Sequence, residues 1–88
     1  MSFDVSKIDS LLAQICDLEG IQSDYDLDVI ALNKCLIVII SFIDDIDVAS
    51  YELDTLLTQS CINKGFGSRI FMKGKNLTWE IFNANPVK

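Results

Sequence analysis

Eighty-eight residues make one domain. Half of them are hydrophobic and the net charge is −6, a composition that excludes intrinsic disorder and carries more apolar surface than so small a monomer readily hides. A homodimer or an obligate partner would cover the excess.

Acid and base are segregated along the chain. Residues 1–54 hold twelve acids against Lys7 and Lys34, a net of −10. Residues 55–88 hold only Glu80 against Lys64, Arg69, Lys73, Lys75 and Lys88, a net of +4. So lopsided a field attracts cations at one end and anions at the other, which suits binding to another macromolecule.

The first helix is expected over about 5–18. Asp4 or Ser6 supplies a cap, and Val5, Ile8, Leu11, Leu12, Ile15 and Leu18 follow helical spacing. Asp9 lies three residues after Ser6, close to a capping box, and Gly20 is a natural stop. Ser23, followed by Asp24 and Asp26, reads as a second helix start. From Val29 to Ile43 the pattern is apolar almost all round. The β-branched run Ile37-Val38-Ile39-Ile40 suits a buried strand as well. Length without Gly or Pro, plus the Ser23 cap, favours a central helix near 24–43. Asp47 or Ser50 then caps a third helix over about 48–64, with Leu53, Leu56, Leu57 and Cys61 facing inward.

The chain changes character after Gly65 and Gly67. Ser68–Lys73 and Leu77–Phe82 are rich in aromatic and β-branched residues and flank Gly74-Lys75, a two-residue loop with Gly first. An antiparallel hairpin over about 68–73 and 77–82 follows, and it must lean on the helices because a lone hairpin is marginal in water. Pro86 prevents its continuation. The expected fold is therefore α+β: a three-helix core followed by a C-terminal hairpin.

Few chemistries have the residues they need. There is no His, so Cys–His and Ser–His–Asp catalysis are absent. Neither Gly65-x-Gly67 nor Gly74 has phosphate-loop spacing. Cys16, Cys35 and Cys61 are far apart, each within an apolar run, and lack a Cys-x-x-Cys pair; they read as reduced, buried thiols and not as zinc ligands. Asp24-x-Asp26-x-Asp28 opens like a calcium loop. Counting from Asp24, however, the sixth and twelfth positions hold Val29 and Cys35, where Gly and a bidentate acid are required. No enzyme, metal or cofactor is expected. The longest apolar run, Cys35–Ile43, has nine residues, too few for the ~20 of a membrane helix. No basic-then-apolar leader begins the chain, so the expected address is the cytoplasm.

Two acidic groups remain, Asp24, Asp26 and Asp28, and Asp44, Asp45, Asp47, Glu52 and Asp54. As bland features they are a helix start and a solvated turn. As a surface they can stand where nucleic-acid phosphates would go and meet Arg and Lys of a partner. The expectation is a small acidic inhibitor, of the immunity-protein, antitoxin or anti-defence kind, that occludes a basic partner such as a nuclease toxin or another nucleic-acid-handling protein. A dimeric chaperone or adaptor, with the central helix facing a partner, is one alternative. The other is a winged-helix-like DNA-binding regulator using helix 48–64 with Gln59, Asn63, Lys64 and the basic hairpin, though the acids heading that helix would repel phosphates. Trp79 and Tyr51 are expected in the core or at its edge.

Overall fold

The computed structural model describes residues 5–82; Asp4 and the tail from Asn83, with Pro86, lie outside the described residues. A 3-10 turn, Val5–Lys7, leads into α1 (Ile8–Glu19). Strands β1 (Tyr25–Leu32) and β2 (Cys35–Phe42) follow, then a 3-10 turn at Val48–Ser50, α2 (Leu53–Asn63), β3 (Gly67–Lys73) and β4 (Asn76–Phe82). The four strands form one antiparallel sheet in the order β1-β2-β4-β3. Two sequence-local hairpins are thus joined at their inner strands. This is α+β in two layers, helices on one sheet face, in place of the expected three-helix core plus C-terminal hairpin.

The central helix expected over 24–43 is the β1–β2 hairpin. Its turn is Asn33-Lys34, which carries neither Gly nor Pro; Lys34 itself takes the left-handed conformation, φ 66°. Ser23, expected as a helix cap, instead latches two chain segments. Its hydroxyl donates to the Asp24 carbonyl (2.8 Å) and accepts from the Asp44 N–H (2.9 Å). Tyr25, Leu27 and Val29 alternate with exposed Asp26 and Asp28, the period of a half-buried strand.

The third expected helix is shorter than 48–64. Asp47 caps only the 3-10 turn, accepting from the Ala49 N–H at 3.2 Å. Tyr51 then turns extended (φ −110°, ψ 168°) and breaks the path. The helix restarts at Leu53 and buries Leu53, Leu57 and Cys61, with Leu56 half-buried. In α1, Lys7 stands at the N-cap without a side-chain hydrogen bond. The other end closes as expected: Gly20 at φ 73°, its N–H donating to Asp17 and that of Ile21 to Cys16, the Schellman arrangement.

Alternation assigns the faces. Val38, Ile40 and Phe42 of β2 and Leu77, Trp79 and Ile81 of β4 are buried together with Ile8, Leu12 and Ile15 of α1 and the α2 stripe. Trp79 is wholly buried, and its indole N–H donates to the Ser68 hydroxyl at 3.0 Å, which meets the need of that buried polar group. Among the described residues no other element covers the opposite, bare sheet face.

Candidate functional site

Register places the bare-face residues in four rows across the sheet. Leu32, Cys35, Phe82 and Gly67 form the first, and Ile30, Ile37, Glu80 and Arg69 the second. Asp28, Ile39, Thr78 and Phe71 form the third, and Asp26, Ser41, Asn76 and Lys73 the fourth. Acids line the β1 edge and bases the β3 edge.

The chain beyond the fourth row is folded over the sheet's end by backbone bonds. Ile43 N–H donates to the Asp24 carbonyl (2.8 Å), Phe42 N–H to that of Lys75 (3.0 Å), and Val48 N–H to that of Gly74 (2.8 Å). Asp44, Asp45 and Asp47 are thereby held beside Asp24 and Asp26. The helices add to the same end. The Glu19 carboxylate, at the close of α1, accepts the Glu52 N–H at 2.6 Å, which seats an anion at the start of α2. Asp54 lies in the first turn of α2, its carboxylate accepting from the Thr58 hydroxyl at 3.3 Å.

Seven of the eight acids singled out from sequence therefore gather at one end: Asp24, Asp26, Asp44, Asp45, Asp47, Glu52 and Asp54. Asp28 sits one row further along the bare face. Sequence reasoning missed Glu19, whose place next to Gly20 gave no hint of its long-range contact. It also missed that Lys73 and Lys75 share this end. Among the described residues neither lysine lies within ion-pairing distance of an acid; the ion pair seen there is Arg69–Glu80, 3.2 Å, on the bare face. Arg69 also stands 5.7 Å from the Phe71 ring and 5.6 Å from that of Phe82, within cation–π range.

The gathered carboxylates form a surface, not a chelate. Among the described residues no three His, Cys, Asp or Glu side chains converge as metal ligands would. The groups whose acidity is displaced lie elsewhere. Burial pushes the Cys16 and Cys61 thiols up. Burial, and then the Asp9 carboxylate that accepts its hydroxyl at 2.8 Å, push the Tyr25 phenol up. Both raise the cost of the anion. Cys35 is half-buried on the bare face, so only two of the three thiols are buried as expected. A shallow open groove of about 260 Å³ runs between the helices, with Leu11, Ile15 and Leu18 facing Leu56, Gln59 and Asn63; no titratable group lines it. No helix among the described residues is long and apolar enough to cross a membrane.

Comparison with protein-family models, curated proteins and solved structures finds no match.

Proposed function

We propose that the acidic end docks onto a basic protein that handles nucleic acid, such as a nuclease toxin, and inhibits it by occupying the sites that hold phosphates. The observation that supports this reading is the gathering of acids from four separate chain segments at one end, with no ion pair to offset them there among the described residues. Carboxylates so displayed offer Arg forks bidentate partners and steer a cationic partner toward them, raising association toward ~10⁸ M⁻¹s⁻¹ at low salt. In this role the chain is no enzyme, needs no cofactor or metal, and shares the cytoplasm with its target.

The winged-helix alternative rested on three helices before a hairpin, an order this fold lacks. The adaptor alternative needs an apolar central helix, and residues 24–43 form the β1–β2 hairpin instead.

Capture with the immobilised chain, followed by a nuclease assay of the bound protein, tests the reading. The native chain is expected to retain a basic protein, release it as salt rises, and block its cleavage of DNA or RNA at equimolar ratio. Asp44→Lys with Asp45→Lys is expected to abolish both effects. Retention and inhibition indifferent to that reversal would overturn it.

A further inference from the structure

The bare sheet face carries its own complement. Its β1–β2 side is apolar beyond the acids: Ile37 and Ile39 sit half-buried on β2 beside exposed Ile30 and Leu32 of β1, and β4 sets Thr78 and Glu80 between them and exposed Phe71 on β3. Four strands at ~4.8 Å spacing and seven residues at ~3.3 Å rise make a face about 19 Å by 23 Å, of which Ile30, Leu32, Ile37 and Ile39 form one contiguous apolar part. Its charged margins are opposite in sign. Asp26 and Lys73 occupy the same row, on the first and last strands, so three strand spacings, about 14 Å, keep them from pairing within one chain.

We propose that this face packs against the same face of a second copy, about a two-fold axis parallel to the strands, so that Asp26 of each chain meets Lys73 of the other. Such an axis exchanges the β1 and β3 edges while leaving each row opposite itself. Asp26 then faces Lys73 twice, and Ile37 and Ile39 on β2 are covered by β4 of the second copy, opposite its Glu80 and Thr78. A two-fold perpendicular to the strands would set both Asp26 and Asp28 against apolar side chains, Leu32 and Ile30, and leave Lys73 without an acid; the parallel axis leaves only Asp28 so placed, opposite Phe71 at the margin of the interface. Aligned sheets pack ~10 Å apart, a gap that Asp and Lys side chains bridge together. The interface is isologous and closes at two chains. Its area is at the small end of specific interfaces, so the dimer is a weak one. The two acidic ends emerge on the same side, a repulsion that weakens the dimer at low salt. This surface shares Asp26 and Lys73 with the acidic end but leaves the helix and loop acids there uncovered, and its test reverses Asp26 and Lys73 where the docking test reverses Asp44 and Asp45, so the two readings fail separately.

Sedimentation equilibrium near physiological salt, from about 1 to 500 µM, tests it. The native chain should reach twice its 9.9 kDa mass. Asp26 and Lys73 are both exposed, so Asp26→Lys and Lys73→Asp should fold and each remain monomeric where the native chain is dimeric. An equimolar mixture of the two variants should recover the dimer mass, because both cross-chain pairs are then attractive. Ile39→Asp should be monomeric alone and in either mixture. A native chain that stays monomeric throughout, single variants that stay dimeric, or a mixture that fails to recover the dimer would each overturn the proposal. So would a monomeric native chain that binds a single-stranded 20-nucleotide probe on Arg69 and Phe71.

Discussion

Lys34 holds φ at 66°, where its β-carbon crowds the next carbonyl oxygen at a cost of about 1–2 kcal/mol. Asn33 and Lys34 alone connect two eight-residue strands, so the strain is held in place by the ladder on either side. Lys34→Gly removes the crowding but adds freedom to the unfolded chain. The net is an expected gain of about 0.5–1 kcal/mol, read as a higher urea midpoint at unchanged slope. A fall in the midpoint would mean that the side chain itself supports the turn. A second prediction concerns Cys16, Cys61 and Tyr25, each held above its ordinary pKa by burial. A folded-state pKa above the unfolded one stabilises the fold at low pH and loses that contribution as pH rises. Stability should therefore be level below the ordinary thiol value of 9.0 and decline above it. Tyr25→Phe should flatten the part of the decline beyond pH 10, at about 0.5–1 kcal/mol near neutrality for the lost bond to Asp9. Denaturant midpoints measured from pH 7 to 11 give both readings.

At the scale of elements, β2 explains what the sequence disclosed and what it hid. A nine-residue apolar run has no period to read, because its helix-facing side is buried and its other side is apolar too. The strand before it did carry a legible signal. Tyr25, Leu27 and Val29 alternate with Asp24, Asp26 and Asp28, which is strand period; it competes with Ser23, Asp24 and Asp26 as a helix start and with a length in which no Gly or Pro marks Asn33-Lys34 as a turn. The second hairpin was legible to within a residue at each end, because Gly74 (φ 59°) announces its turn. What could not be read there was that β4 pairs with β2, a long-range choice made by the joint burial of Val38 with Trp79 and of Ile40 with Leu77. Alternation on β2 has a direct test. Ile40 is 2% exposed, and Ile40→Ala should cost about 2–5 kcal/mol. Its neighbour Ile39 points to the bare face, and Ile39→Thr should cost well under half as much in the monomer. Equal costs would contradict the strand. Equilibrium denaturation below the micromolar range keeps self-association out of the comparison.

For the whole molecule, the acids were legible as residues and as two clusters, but not as one surface. Their union depends on the end of α1 meeting the start of α2 through Glu19 and Glu52, and on the loop 43–47 folding across the strand ends, contacts that have no local sequence signature. The same contacts dilute the charge: Lys73 and Lys75 arrive at that end on the β3–β4 turn, so the wall is negative on balance and not throughout. A surface retained for binding rather than for folding should be a burden to the isolated chain, since like charges held close destabilise the compact state. Asp44→Lys with Asp45→Lys is therefore expected to raise the melting temperature of the free protein, on the order of 2–4 °C at low ionic strength. The gain should shrink as salt screens the repulsion over the ~8–10 Å Debye length of physiological buffers. Native protein should itself melt higher as salt is added. A double variant that melts lower, with the loss independent of salt, would show these carboxylates to be structural, tied to the N–H groups of their own turn. In that case their negative charge would need no partner to explain it.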